Sequence, residues 1–436
     1  MGDLWAGLPV PAQDALVALA LLLPSAVLGA LVLRGFAPFR LVRAMLWRFR
    51  WVNLVFVLLI AAAVAIGTGL TAQERGLRQG TARAADPFDL VIGAPGSEVT
   101  LMLATVYLQP SDMPLLTGAQ YAEIAGDPDV ALSAPIAFGD SFDGAAVVGT
   151  TADFVTHLAG PLAEGRMFAT ASEAVAGAFA PVTVGSRFSP AHGHGAMAEE
   201  DAHGPSELVV TGRMALTGTP WDRAILVPVE AVWLVHDLGD GHAPGEGGRI
   251  GPPFDAAAFP GTPAFIVRAD EVWANYALRS RYTRADMMAV FPGAVLAQLH
   301  GLMRDVREAM SLLAVVTQGL VAVAVLAGLI LLTRIFSRQL ALLRAVGAPR
   351  RFVLAVVWSY SATLVAAGAA LGLALGWIAA ATLSRVITAR TDILVTARIG
   401  WTEVDLVAGF VSLSLVVALL PAYVASRRSV LSDLRS

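Results

Sequence analysis

Long apolar stretches with almost no charge constrain this chain more than any other feature. A helix needs about 20 apolar residues to cross a hydrocarbon core about 30 Å thick. Five stretches of the 436-residue sequence are long enough. They cover residues 12–33, 51–70, 311–333, 352–381 and 405–425. Because one charge at mid-bilayer costs roughly 2.5–3.5 kcal/mol on insertion scales, the near absence of charge within them predicts five membrane-spanning helices.

The distribution of charge predicts the orientation of these helices. All 30 basic residues are arginines. Arginine-rich segments without acids join the first span to the second and the third to the fourth, and the tail after the fifth span is also basic. The positive-inside rule places these segments in the cytoplasm. Residues 71–307 then lie outside it, and they contain 27 acidic residues and 14 arginines.

The first apolar stretch has three interpretations. A signal peptide has a basic leader and an apolar core of about 7–15 residues, whereas this leader carries Asp3 and Asp14 and its apolar run is longer. A hairpin on the membrane surface is a second interpretation. We favour a true span, which adds one N-terminal helix to the other four.

The segment 71–307 is long enough to bury a core of its own and is rich in Gly, Pro and Asp. Valine- and isoleucine-rich runs predict strands, and amphipathic runs predict helices. The predicted strands are 89–93, 181–185, 207–212, 224–229 and 264–268, and the predicted helices are 98–108, 117–125, 172–180, 229–236 and 270–278. Polar, glycine- and proline-rich stretches at 185–205 and 239–260 predict exposed loops. A further helix, 282–312, is expected to continue into the third span.

The predicted fold is therefore a membrane all-α bundle of about five transmembrane helices, with a large α+β extracytoplasmic domain inserted between spans two and three. The boundaries follow from the same patterns. They are 1–50 for the N-terminal helix and its arginine-rich segment, 51–70 for a span, 71–307 for the α+β domain, 308–333 for a span, 334–351 for a short cytoplasmic helix, and 352–436 for two spans and a tail.

The cytoplasmic segment 334–351 predicts a short amphipathic helix. Phe336, Leu340, Leu343 and Gly347 recur at helical spacing on one face, and arginines occupy another. Gly347 followed by a proline two residues later is a typical helix end. One interpretation is a basic helix lying on anionic lipid headgroups. The other is a helix that docks on a cytosolic protein, and periodicity alone leaves the two open.

A family resemblance favours docking. The sequence RQLALLRAVGAPRR at residues 338–351 resembles the C-terminal signature of FtsX-like (MacB-type) ABC transporter permeases. Further segments resemble one branch of that family, and the likeness covers about residues 40–436. They are FDLVIGAPGSEVTLML at 88–103, GRMF at 165–168 with EAV at 173–175, GSRF at 185–188 with HG at 192–193, and TGTPWDR at 217–223. The chain differs from the family's usual pattern in having Gln339 in place of a glutamate and in its extra first span.

The resemblance implies a permease subunit that couples ATP binding and hydrolysis by a separate cytosolic ABC ATPase to movement of its periplasmic domain, for export or extraction of a substrate. It implies a multi-pass protein of the bacterial inner membrane, a homodimer, and contact with a periplasmic partner protein. The residues expected to couple to the ATPase are Arg334, Arg338, Gln339, Leu340, Leu343, Arg344, Gly347, Arg350 and Arg351. An alternative is a transmembrane regulator that transports nothing and controls an external partner such as a cell-wall hydrolase.

The absence of lysine excludes a conventional Walker A motif, which needs one. We therefore expect no enzymatic activity and no cofactor in this chain, with ATP and Mg²⁺ held by the partner ATPase. No catalytic residue set is recognisable, and no nucleic-acid partner is expected. The glycine-rich stretch 93–97 is expected to be a turn before a helix rather than a phosphate-binding loop.

Three glycines in the fourth span, Gly368, Gly372 and Gly376, are spaced by four residues and therefore lie on one helix face. Small residues allow close approach of two helices within lipid. The stripe predicts either packing within the chain or a contact at a dimer axis.

Histidines are concentrated in or beside the two polar loops of the α+β segment. They are His192, His194, His203, His236 and His242. Histidine-rich tracts can bind Zn²⁺, which would give a zinc-linked version of either function. Their spacing matches no fixed ligand pattern, so solvated loop histidines and contacts to a partner remain the other interpretations.

Overall fold

The computed structural model of the protein describes residues 7–109, 111–193, 207–302, 336–391 and 394–427, together with scattered residues between 308 and 331. It divides into two compact units. The helical unit comprises Met1–Leu77, Asp305–Arg385 and Thr396–Ser436. The α+β unit comprises Arg78–Arg304 and Val386–Val395. The second unit therefore also includes a short segment from the C-terminal part of the chain, outside the predicted range 71–307.

The described residues form helices and strands with the following bounds. The helices are α1 (Val10–Leu33), α2 (Phe39–Arg48), α3 (Arg50–Ala85), α4 (Glu98–Val106), α5 (Gly118–Ala125), α6 (Ala152–Ala159), α7 (Val229–Val235), α8 (Ala274–Tyr282), α9 (Pro292–Leu302), α10 (Ser337–Ala345), α11 (Arg350–Thr391), α12 (Trp401–Val417) and α13 (Leu419–Arg427). The strands are β1 (Leu90–Gly93), β2 (Val130–Phe142), β3 (Ala145–Thr150), β4 (Glu164–Gly165), β5 (Glu173–Ala176), β6 (Arg187–Phe188), β7 (Ala191–His192), β8 (Leu208–Arg213), β9 (Ile225–Pro228), β10 (Ala264–Ala269) and β11 (Met288–Val290).

Four helical segments among the described residues are long and apolar enough to cross a membrane. They are Val10–Leu33, Arg50–Ala85, Arg350–Ala389 and Trp401–Arg427. They coincide with four of the five apolar stretches found in the sequence. Most of the predicted third span, 311–333, lies outside the described residues, and those described between 308 and 331 are helical.

The N-terminal helix α1 packs through small residues. Ala18, Ser25 and Gly29 are its buried positions. A Cβ atom added to Gly29 would lie 2.9 Å from the ring of Trp358 on α11, and α1 also contacts α12. Most of its leucines and valines are exposed, which is the arrangement expected of a helix whose outer face contacts lipid.

One mixed sheet forms the centre of the α+β unit. Its strand order is β11-β1-β10-β2-β3-β9-β5-β8-β4, with β6 beside β8 and β7 beside β2. Most neighbours are antiparallel, but β3 pairs with β9 and β5 with β8 in parallel. Successive residues of a strand point to opposite faces, and both faces are buried. One core includes residues of α5, α7 and α8, and the other includes residues of α4, α6 and α9.

Three sequence predictions for this unit are wrong. Residues 172–180, predicted as a helix, contain β5, which is buried between β8 and β9. Residues 181–185, predicted as a strand, are irregular, and their Gly185 has φ +88°. The predicted helix 282–312 begins only at Pro292, because β11 intervenes and completes the edge of the sheet. In the first and third cases sheet pairing overrides local helix preference.

Candidate functional site

The short basic helix α10 and its surroundings form the candidate site. Its C-terminal end has the bond pattern of a Schellman motif. The N–H of Gly347 donates to the carbonyl of Arg344, and the N–H of Ala348 donates to that of Leu343, each at 3.0 Å. Gly347 has φ +107°, a conformation that glycine adopts without strain. The predicted helix end at Gly347 is therefore confirmed, and α11 begins three residues later.

One face of α10 packs into the helical unit. Leu340 and Ala341 are buried, as is Phe336, which precedes the helix. The ring of Phe336 makes edge contacts with Phe49, at 4.8 Å between centroids, and with Tyr360, at 5.3 Å. This aromatic contact fixes α10 to the start of α3 and to α11. The apolar face recognised in the sequence therefore packs within the chain.

The opposite face of α10 is exposed. Arg338, Leu342 and Val346 are spaced by four residues and line one side of the helix. Leu342 is 52% exposed and Val346 is 89% exposed. We call Arg338, Leu342 and Val346 the outer stripe. It combines a cation with two accessible aliphatic side chains, which is a surface suited to contact with another protein.

The structure separates the predicted coupling residues by their accessibility. Arg338, Gln339, Arg350 and Arg351 are exposed, Leu343 and Arg344 are partly buried, and Leu340 is 4% exposed. Arg334 lies outside the described residues. Leu342 and Val346 were not recognised in the sequence, although their four-residue spacing from Arg338 would have identified them.

The glycine stripe of α11 packs on α3 of the same chain. A Cβ atom added to Gly368 would lie 2.6 Å from Ile60, one on Gly372 would lie 2.6 Å from Val64, and one on Gly376 would clash with Thr68. The contact residues advance by four on both helices, so α3 and α11 run parallel in close register. Of the two interpretations left open by the sequence, packing within the chain is the one that the structure contains.

Polar contacts continue this pairing at both ends of the glycine stripe. The hydroxyl of Tyr360 donates to Asn53 at one end. At the other, Ser384 donates to Gln73 at 3.3 Å and accepts from the N–H of Ala397 at 3.0 Å. Matched polar groups within an apolar bundle resist sliding, because moving either helix would leave them unsatisfied.

An ion pair joins α3 to the start of α12. Arg75 donates to the fully buried carboxylate of Glu403, whose other oxygen accepts the N–H of Gly400 at 2.7 Å. The carboxylate thus caps α12 and neutralises the arginine. This pair was not recognised in the sequence, where the two residues are far apart.

The histidines proposed as metal ligands fall into separate places. His236 lies 3.5 Å from Asp140, and His242 lies 3.3 Å from the buried Glu230. Burial raises the pKa of Glu230. The side chain of His192 and all of His194 and His203 lie outside the described part of the structure. Among the described side chains, no group of three or more His, Asp or Glu is arranged to hold a metal ion.

The short motifs of the α+β unit have structural roles. Arg166 and Glu173 form a bidentate ion pair, with one contact at 2.8 Å. Asp222 accepts the N–H groups of Thr217 and Gly218 at 2.9 and 2.7 Å and closes their loop. The stretch 93–97 is a turn that leads from β1 to α4, as expected, and the Ser97 hydroxyl caps α4 by accepting from Thr100.

Comparison with protein families gives a match in the C-terminal part of the chain. Residues 310–430 match the family described as FtsX-like permease C-terminal. This region begins before α10 and ends after α13, so it includes the outer stripe and the whole of α11. Over residues 310–430 the match confirms the resemblance found in the sequence; the motifs between residues 88 and 223 lie outside it. No curated protein matches the chain.

Proposed function

We propose that this chain, whose residues 310–430 form an FtsX-like permease C-terminal domain, is the membrane subunit of an ABC-type complex. Permeases of this family generally work with a cytosolic ABC ATPase. The partner ATPase would hold ATP and Mg²⁺, since the chain has no lysine for a Walker A motif. The complex would reside in a bacterial inner membrane, with the α+β unit on the periplasmic side, where it would contact a substrate or partner protein.

The division of α10 into two faces carries this proposal. Its inner face is anchored by Phe336 and Leu340, and its outer stripe is accessible. A helix that only rested on lipid headgroups would direct its apolar side to the bilayer and its arginines to water. Here exposed aliphatic side chains share a side with Arg338, which fits a protein surface better.

Movement of α10 would pass directly into the bundle. Only four residues, 346–349, separate α10 from α11. Because α11 is packed on α3 through glycines and matched polar contacts, the two helices would move together as one rigid pair. ATP-driven closure of the ATPase would thereby shift a bistable assembly between two conformations. The proposal also includes movement of the second predicted span, residues 51–70, relative to the third, residues 311–333.

A homodimer would use a surface other than the glycine stripe, since α3 occupies that face.

Two functions could use this mechanism. In one, the complex exports or extracts a substrate; in the other, it transports nothing and regulates a periplasmic partner. Reconstitution of the permease with its ATPase separates the two outputs. A substrate that stimulates ATP hydrolysis would establish export, whereas activation of a periplasmic enzyme by ATP turnover, without any transported molecule, would establish regulation.

Docking is tested by the variant Val346→Asp. It places a carboxylate on the outer stripe and leaves the inner face intact. We expect at least tenfold less ATPase to co-purify with the variant in mild detergent, and a loss of coupled ATP turnover. Arg338→Glu should act in the same direction.

The matched control is Arg43→Glu, which reverses an exposed charge on α2 and should retain the ATPase. Leu340→Asp is a poor test, because it buries a carboxylate and destabilises the helical unit. Wild-type recovery of the ATPase with both Val346→Asp and Arg338→Glu would reject α10 as the docking helix.

A further inference from the structure

Two tryptophans and an arginine are exposed together where α2 meets α3. Trp47 is 73% exposed and Trp51 is 70% exposed, and Arg50, which lies between them in the sequence, is also exposed. The guanidinium carbon of Arg50 lies over both indole rings, 5.6 Å from the centroid of Trp47 and 5.8 Å from that of Trp51. A cation within about 6 Å of a ring centroid is attracted by the ring. We call Trp47, Arg50 and Trp51 the α2–α3 corner.

Contacts within the helical unit hold this corner in place. Only Phe49 separates α2 from α3. Its N–H donates to the carbonyl of Met45 at 3.2 Å, and the side chain of Asn53 donates to the carbonyl of Leu46 at 3.0 Å. Val42 of α2 is buried in the core of the helical unit. One side of α2 is therefore packed against the rest of the unit, and the α2–α3 corner is left exposed.

The charge around the corner favours an anionic ligand. Residues 34–50 contain five arginines, and the sequence has no acidic residue between Asp14 and Glu74. Aromatic rings attract the guanidinium of Arg50 but do not neutralise its charge. A guanidinium offers five N–H donors in a rigid arrangement that suits the oxygens of a phosphate group. The chemistry that this corner would recognise is therefore a phosphate.

The flanking helices determine which phosphate the corner meets. Both α1 and α3 are long and apolar enough to cross a membrane, so residues 34–50, which join them, lie at a membrane boundary. Tryptophan is enriched at this depth, because its ring is apolar and its N–H is polar. Anionic lipids attract basic segments next to a span. Two exposed indoles beside a cation fit a lipid, which has a charged headgroup and apolar chains, better than a free phosphate ion.

We propose that Trp47, Arg50 and Trp51 bind the headgroup of an anionic phospholipid. Arg50 would pair with the phosphate, and the two indoles would lie beside the glycerol and the first part of the acyl chains. Because the corner includes the start of α3, a bound lipid would stabilise the helical unit. The proposal requires only that α1 and α3 cross a membrane, and it does not depend on the function proposed above.

The test is lipid binding to the full-length protein, purified in detergent and delipidated. Native mass spectrometry measures binding of phosphatidylglycerol and of phosphatidylcholine with the same chains. We expect the wild type to bind the first phosphatidylglycerol at least tenfold more tightly. Arg50→Gln should reduce this preference at least fivefold, and Trp47→Leu at least twofold. The matched controls, Arg398→Gln and Trp377→Leu, change an exposed arginine and a 59% exposed tryptophan elsewhere in the helical unit, and both should keep the wild-type preference.

Melting temperatures separate lost binding from misfolding. Phosphatidylglycerol should raise the melting temperature of the wild type and of both controls more than phosphatidylcholine does. It should not do so for Arg50→Gln, whose lipid-free melt should match the wild type because the side chain is exposed.

Two results would overturn the proposal. An equal loss of preference in Arg50→Gln and Arg398→Gln would show a response to net charge rather than a site. An unchanged preference in both Arg50→Gln and Trp47→Leu would show that the corner does not bind the lipid, and loss of the ATPase from these variants would then assign the corner to a protein partner.

Discussion

The contact between α3 and α11 in the helical unit and the core of the α+β unit are packed with side chains of different size. In the helical unit α3 and α11 meet through glycines opposite Ile60, Val64 and Thr68. In the α+β unit the largest fully buried side chains include Trp221, Tyr282, Phe154 and Phe265. Lipid is as apolar as leucine, so helices in a bilayer associate through close contact rather than burial from water. A domain in water gains most from burying large apolar surfaces.

The comparison also extends to charge. Ion pairs of the α+β unit are mostly at its surface, such as Arg166–Glu173 and Arg284–Glu123. The ion pair of the helical unit that we describe, Arg75–Glu403, has a fully buried carboxylate that also caps a helix. Exposed pairs contribute little to stability because water screens them, whereas a buried pair is costly to break. The three predictions below test the comparison, from the largest expected effect to the smallest.

Removal of a large buried side chain should destabilise the α+β unit most. Trp221 is fully buried, contacts Phe154 and donates from its indole N–H to the carbonyl of Thr105 at 3.2 Å. We expect Trp221→Ala to lower the free energy of unfolding of this unit by about 3–5 kcal/mol. Pulse proteolysis of the full chain in detergent, across a urea series, measures the shift.

The control for that experiment is Trp273→Ala. Trp273 is 67% exposed, so its removal should change the stability by less than about 0.5 kcal/mol. Equal effects of the two variants would show that burial of large side chains is not what stabilises the unit.

Enlarging a glycine should be the damaging change in the helical unit. A Cβ atom on Gly372 would lie 2.8 Å from the carbonyl oxygen of Ala61, and backbone cannot move aside as a flexible side chain can. We expect Gly372→Val to separate α3 from α11 and to cost about 1–3 kcal/mol. Denaturation in a series of sodium dodecyl sulfate fractions, followed by circular dichroism, measures the loss.

Gly409→Val is the matched control. It makes the same change in a membrane-type helix, α12, at a glycine whose added Cβ would have no heavy atom within 4 Å. Its denaturation profile should match the wild type. If Gly372→Val were as stable as this control, the α3–α11 contact would not depend on small residues.

A surface ion pair should have the smallest effect, visible mainly as pH dependence. Hydrogen bonds from Arg166 lower the pKa of Glu173 from its ordinary value of 4.5 to about 2. A carboxyl with a lower pKa in the folded state binds fewer protons there than in the unfolded state. The stability that it contributes is thus fully present above pH 4.5 and is lost as the pH falls toward 2.

Glu173→Gln should therefore lower stability at pH 7 by less than about 1 kcal/mol and should flatten the loss of stability between pH 4.5 and 2. Thermal melts of the α+β unit at several pH values measure this slope. Arg166→Gln should flatten it similarly, and the double variant should add little, because both changes remove one interaction. A wild-type slope in Glu173→Gln would contradict the assignment.

Periodicity and composition predicted the four long apolar helices that the structure describes. Apolar runs of the length that a bilayer requires predicted the helices later found at Val10–Leu33, Arg50–Ala85, Arg350–Ala389 and Trp401–Arg427. The end of α10 at Gly347 was also predictable from local sequence, because a glycine followed closely by a proline is a typical helix end. The resemblance of residues 338–351 to a family signature also came from a contiguous stretch, and it lies within the family match at residues 310–430.

The sequence predicted the helix of the candidate site but not which of its faces is exposed. The sequence identified α10 but assigned Leu340 to the docking surface, since an apolar stripe does not show whether it faces a partner or the protein's own core. The structure answers this by packing Phe336 and Leu340 against α3 and α11 and leaving Leu342 and Val346 outside. Likewise, the helix predicted at 172–180 became a strand because β8 and β9 offered it partners.

Sequence by itself determined where the chain is apolar, where it is basic, which helix ends are fixed by glycine, and which family its C-terminal region resembles. These properties depend on residues close together along the chain. Tertiary structure alone decided which face of α10 is free, what the glycine stripe contacts, and that Arg75 reaches Glu403. The glycine stripe and Arg75 contact residues more than 300 positions away in the sequence, and such meetings are set by packing energies summed over the whole fold rather than by any local pattern.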